Sequence, residues 1–136
     1  MNKHINLFLL LIGSCFGDTF VGEEIEIKYR GGNGAYSPDR LWYANLWDGI
    51  NKETGELYFR FQIFSAEGTN WAHPNPTFDP EGKTPRIDIL IPFENINVRG
   101  MKLIWSEDSK LFTADQGWAG IFTYNLSTNN FSKTKK

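Results

Sequence analysis

Leu57-Tyr58-Phe59-Arg60-Phe61-Gln62-Ile63-Phe64 is the stretch that decides the fold class. Leu57, Phe59, Phe61 and Ile63 fall on one side; Tyr58, Arg60, Gln62 and Phe64 fall on the other. An extended chain turns successive side chains to opposite faces, so this period of two predicts a strand with an apolar inner face. The pattern recurs in both directions. Arg86 to Phe93 places Ile87, Ile89, Ile91 and Phe93 inward. Glu24 to Arg30 alternates charge with Ile25, Ile27 and Tyr29, which predicts a half-buried strand with those three facing in. Met101–Trp105 and Gly120–Tyr124 complete the clear set.

Leu41 to Trp47 has two readings. Ser37-Pro38-Asp39 is a helix-start pattern, with Ser37 as cap and Pro38 at the first helical position. The aromatic content that follows favours a strand. So do Asp48-Gly49 and Asn51-Lys52-Glu53-Thr54-Gly55, which carry hairpin-turn chemistry. Gly31-Gly32-Asn33-Gly34 reads as a turn or flexible loop. Residues 65–85, with Pro74, Pro76, Pro80, Gly68 and Gly82, form a long loop of the kind that often carries function. No internal repeat or domain linker stands out.

The fold class expected is all-β, an antiparallel β-sandwich of about six to eight strands, with a small closed barrel as the alternative. Its composition agrees. Of 136 residues, 15% are aromatic (five Trp, five Tyr, eleven Phe), and 13 Gly and six Pro supply turns. Fourteen Lys+Arg against 16 Asp+Glu leave a net charge of −2, with no basic footprint for nucleic acid. The single cysteine rules out an intrachain disulfide framework.

Residues 1–17 read as an export signal. Lys3 precedes the apolar run Ile5–Ile12, INLFLLLI, and small residues follow. Ile12-Gly13-Ser14-Cys15 resembles a bacterial lipobox, which makes Cys15 a lipid-attachment candidate; cleavage after Gly17 is the other outcome. The competing reading makes Ile5–Ile12 a core strand, but the run lacks alternation. The division expected is therefore a signal over 1–17, one β domain over 18–126 and a polar basic tail over 127–136 that frays. Localisation follows: secreted, or anchored to the envelope as a lipoprotein, with membrane contact only through a lipid on Cys15.

The sequence offers no catalytic set. His4 lies in the signal segment, which leaves His73, and no HExxH, GxSxG or phosphate-binding loop is present. Asp79, Glu81 and Asp88 are the least implausible carboxylates for a small hydrolase. Asp79-Pro80-Glu81-Gly82 reads as a turn in preference to a calcium loop, and no metal or cofactor is implied. Five tryptophans exceed what one small core needs. Trp42 and Trp47 are five apart and so face opposite ways on a strand. Trp71 has Asn70 and His73 as polar neighbours, and Trp118 sits in Asp115-Gln116-Gly117-Trp118-Ala119-Gly120.

Exposed indoles stack on sugar faces while adjacent amides bond hydroxyls. The function expected is a non-catalytic carbohydrate-binding module using Trp71, Trp118, Trp42, Trp47, His73 and Asn70. The alternative is a protein-interaction module, such as a surface lipoprotein subunit or an enzyme inhibitor, because aromatics also anchor protein interfaces. A glycan or an extracellular protein is then the partner.

Overall fold

The computed structural model describes residues 25–134. Eight strands form two antiparallel four-stranded sheets. The first sheet holds β1 (Ile27–Tyr36), β2 (Trp42–Asn51), β3 (Leu57–Ser65) and β4 (Ile87–Pro92) in chain order. The second holds β5 (Lys102–Trp105), β6 (Leu111–Asp115), β7 (Ile121–Asn125) and β8 (Asn130–Thr134), also in chain order. The arrangement is a sandwich, not a closed barrel. Each sheet is a meander of neighbouring hairpins, and the one crossing between sheets runs from β4 through a 3-10 turn at Val98–Gly100.

Apolar alternation on β3 builds the core. Phe59 meets Phe122 at 4.5 Å, and Phe61 meets Phe131 at 4.8 Å and Phe112 at 5.8 Å, so one strand stitches the sheets together. Phe59, Phe61, Ile63, Ile87 and Ile89 have no exposed surface. A strand buried on one face only would leave its polar side in water. Here Tyr58, Gln62 and Phe64 on the other side of β3 are buried too; Gln62 and Phe64 are flanked by the long connection between β3 and β4, whereas Tyr58, at the start of the strand, lies between Gly49 and Pro92. Phe78 from this connection stacks on Tyr43 (4.5 Å, 17° between planes) and contacts Phe64 at 5.2 Å.

Several expectations change. Gly31-Gly32-Asn33-Gly34 is not a turn; it is the second half of β1. Its glycines make room. A Cβ on Gly32 would lie 2.8 Å from the Trp47 ring, and one on Gly34 would lie 1.9 Å from the Tyr43 hydroxyl, so β2 rings rest on the bare backbone of β1. Asn33 ties β1 to the crossing between the sheets, donating to the carbonyls of Val98 (3.1 Å) and Met101 (3.3 Å). Asp48-Gly49 belongs to β2, and the turn is confined to the residues after Asn51. The tail expected to fray contributes β8, whose Phe131 is buried in the core. Leu111–Asp115, unassigned from sequence, is β6.

Ser37-Pro38-Asp39 caps no helix. It forms the β1–β2 turn, and the same device recurs between β5 and β6. In the first turn the Ser37 hydroxyl donates to Asp39 (2.6 Å), Arg40 takes a positive φ of 65°, and Trp42 N–H returns to Ser37 (3.0 Å). In the second, Ser106 donates to Asp108 (2.6 Å), Ser109 has φ 60°, and Leu111 N–H returns to Ser106 (3.0 Å). The two turns touch: Asp39 N–H donates to the Ser109 hydroxyl at 3.0 Å. A Ser-x-Asp-x pattern in two hairpins is thus a small local repeat that periodicity alone did not mark.

Candidate functional site

Register places the polar side chains of the first sheet on its outer face. Trp47 lies opposite Arg60, Asn45 opposite Gln62, and Gln62 opposite Asp88. A bulge between Tyr29 and Gly31 resets β1, and Tyr29 turns to this outer face instead of pointing wholly inward. Its ring sits 5.8 Å from Trp47 and its hydroxyl accepts from Arg60 Nη1 at 3.0 Å. Together these residues floor a groove of about 550 Å³ whose far wall is Pro80, Gly82, Lys83 and Pro85 of the long connection.

The floor is one directed network. Arg60 grips Asp88 with two parallel bonds, Nε to Oδ1 (3.0 Å) and Nη2 to Oδ2 (2.7 Å). Gln62 Nε2 also donates to Asp88 Oδ2 (3.2 Å), and Asn45 Nδ2 donates to Gln62 Oε1 (3.0 Å). The carboxylate accepts only, so it fixes the orientation of both amides in turn. Asn45 and Gln62 thus line the groove as largely buried carboxamides held in a fixed orientation.

Charge on the floor cancels. Burial works against the Arg60 cation, but the Asp88 carboxylate and the Tyr29 hydroxyl outweigh it and hold the guanidinium above its ordinary range. Burial pushes the Tyr29 hydroxyl up, so it stays neutral and acts as a dipole. Lys83 stands on the rim with Nζ on the Asp79 carbonyl (2.8 Å) and 4.7 Å from the Phe78 ring centre.

Of the tryptophans expected at a site, only Trp47 lines this groove. Trp42, on the opposite face of β2, packs against the core with the Arg86 guanidinium 5.3 Å from its ring. Trp71 lies on the long connection, edge-on to Tyr36 at 4.6 Å, with Arg40 over it at 4.8 Å. Asn70 and His73 close exposed turns there, accepting from Ala72 N–H and Asn75 N–H. Trp118 is 77% exposed on the 3-10 turn between β6 and β7. Trp71 sits by the last residue of β1, whereas Trp118 sits by the end of β4, which register places near the first residues of β1. Those two are therefore at opposite ends and form no common site. Cys15 and the whole of 1–17 lie outside the described residues.

The carboxylates weighed for hydrolysis are differently placed. Both oxygens of Asp88 are engaged by Arg60 and Gln62. Asp79 caps the exposed turn at Glu81 N–H (3.0 Å). Among the described residues no group of three or more His, Cys, Asp or Glu side chains could hold a metal, and no helix is long and apolar enough to cross a membrane.

Asn45, Arg60 and Gln62 were not singled out from sequence as site residues, Asp88 was considered only as a hydrolytic carboxylate, and Tyr29 only as an inward-facing strand residue. The signal existed in part: alternation on β3 put Arg60 and Gln62 together on its polar side. Which residues of β2 and β4 meet them depends on register, which alternation does not supply. No protein-family model, curated protein or solved structure matches the chain.

Proposed function

We propose that the chain is an exported, non-catalytic binding module that holds a neutral saccharide in the groove on the outer face of its first sheet. One observation carries this reading: an aromatic wall of Trp47 and Tyr29 stands over a floor of amides oriented by a self-neutralised Arg60–Asp88 pair. Sugars offer an apolar C–H face and adjacent hydroxyls. The first suits an indole or phenol ring, and the second suits oriented carboxamides such as those of Asn45 and Gln62, each of which carries both donors and an acceptor. The groove volume of about 550 Å³ falls among small-molecule sites.

Neutrality of the ligand follows from the floor. Arg60 already satisfies Asp88, so the floor itself offers an acidic sugar no uncompensated charge, and Lys83, the other cation lining the groove, stands on the rim with its Nζ on the Asp79 carbonyl. Export rests on the signal-like residues 1–17, with Cys15 as the lipid-attachment candidate.

A glycan array probed with the full chain tests the reading. Binding to neutral glycans should fall at least about tenfold in Trp47→Ala and persist in Trp71→Ala. Binding indifferent to Trp47→Ala would remove the groove from the account.

A further inference from the structure

The two ends of the sandwich differ. One carries the paired Ser-x-Asp turns, joined through Asp39 and Ser109. At the other end, register collects the start of β1, the end of β4, the β6–β7 turn and the end of β8. Three features converge at this second end, none of them part of the groove.

The first is Trp118, the most exposed large apolar side chain among the described residues at 77%. Its turn is pinned. Gly117 N–H donates to Asp115 Oδ1 at 2.7 Å, and Gln116 both donates to the Asn95 carbonyl (2.6 Å) and accepts from Asn97 N–H (2.8 Å). A bare indole held on an ordered turn can be covered with little further loss of conformational freedom. The second feature is Lys133, which shares a cleft of about 270 Å³ with Trp118, Phe93 and Glu94. Its Nζ lies 4.3 Å from the Phe93 ring centre, and the sequence continues to Lys135-Lys136. The third is the direction of the chain. The described domain begins at Ile25, just before β1, and the 24 residues ahead of it include the apolar run Ile5–Ile12 and the lipid-attachment candidate Cys15.

We infer that this end of the sandwich docks on an anionic phospholipid bilayer, with Trp118 at headgroup level and Lys133 toward the lipid phosphates. Indole rings favour the membrane–water interface, and lysines beside it are drawn to anionic headgroups. A lipid on Cys15 would tether the chain without fixing its orientation, and a second contact at the anchored end would supply that orientation. Nine residues lie between Cys15 and Ile25, and the ten steps along the chain span at most roughly 35 Å. An anchor there keeps the Trp118 end within reach of the surface.

The test uses the full chain and vesicles of phosphatidylcholine, with and without phosphatidylglycerol, carrying brominated acyl chains. Residues 1–24 contain no tryptophan, so tryptophan emission reports the folded domain alone. Emission should shift to shorter wavelength and be quenched most on vesicles containing phosphatidylglycerol. Trp118→Ala should lose both signals, and Lys133→Glu should weaken them on the anionic vesicles. A full chain that binds vesicles with unquenched emission, or a Trp118→Ala variant quenched as strongly as the natural chain, overturns the inference. Near-UV circular dichroism of each variant separates loss of contact from loss of fold.

Discussion

Two glycines of one strand should respond oppositely to the same substitution. A Cβ on Gly34 would stand 1.9 Å from the Tyr43 hydroxyl, 2.4 Å from its ring carbon and 2.9 Å from the Ala44 carbonyl. The backbone carbonyl cannot yield, so the Tyr43 ring must leave. That ring is stacked on Phe78 at 4.5 Å and edge-on to Tyr36 at 4.7 Å. Each such pair contributes about 0.5–1.5 kcal/mol, and overfilling a packed site costs about 1–3 kcal/mol; Gly34→Ala should therefore destabilise by roughly 2–4 kcal/mol. Gly31 offers the contrast. The three atoms nearest its added Cβ all belong to the side chain of exposed Arg99, with Nε 2.7 Å away. Arg99 can swing aside, and alanine restricts the unfolded chain by about 0.4–1 kcal/mol, so Gly31→Ala should fall within about 1 kcal/mol of the natural chain. Urea unfolding of the three proteins, followed by far-UV circular dichroism, measures both differences. A Gly34→Ala protein within about 0.5 kcal/mol of the natural chain would show that the Tyr43 ring does not need the glycine beneath it.

Three further outcomes follow from the same geometry. Phe61→Ala empties the point where Phe112, Tyr124 and Phe131 meet across the sheets and should cost about 3–5 kcal/mol in urea unfolding. Asp88→Ala strands a partly buried guanidinium and should cost about 3 kcal/mol or more; adding Arg60→Met should recover part of the loss, which a double-mutant cycle reads directly. Burial pulls the Asp39 carboxyl up, but hydrogen bonds from Ser37, Leu41 and Ser109 outweigh it and hold it below the ordinary 3.8. The Ser106 hydroxyl does the same for Asp108, ahead of the Lys110 N–H. A depressed folded value stabilises fully above 3.8 and is lost as pH falls through that lowered value. Unfolding midpoints measured down through this range should therefore drop more steeply for the natural chain than for the Asp39→Asn, Asp108→Asn double variant.

Strands with an uninterrupted alternation of large apolar residues were legible in the sequence: β3 and β4 entirely, β5 and β7 in outline. β2 was legible as a strand because its aromatics outweighed the Ser37-Pro38 helix signal. The rest was hidden for physical reasons. Glycines in β1 look like a turn until the rings of Trp47 and Tyr43 are seen lying on them. β8 buries a single large side chain, Phe131, so its five residues carry no period. β6 is short, and its adjacent Leu111 and Phe112 blur the alternation. At the candidate site, the aromatic excess drew attention to Trp47, which lines the groove. Its polar partners stayed invisible because the Arg60–Asp88 pair spans 28 residues and exists only in the β3–β4 register. Trp71 and Trp118 shared loop-like surroundings in sequence, yet chain topology sets them at opposite ends.

On the proposed function, Asn45 and Gln62 meet a neutral saccharide beside Trp47. The most direct measurement is nitrogen–proton correlation NMR of the full chain, titrated with the neutral oligosaccharide that ranks first on the array. The account predicts saturable shifts of the Asn45 and Gln62 side-chain amides and of the Trp47 indole N–H, with Trp118 unmoved. No saturable shift with any neutral glycan, or shifts confined to Trp118 or Trp71, would contradict it.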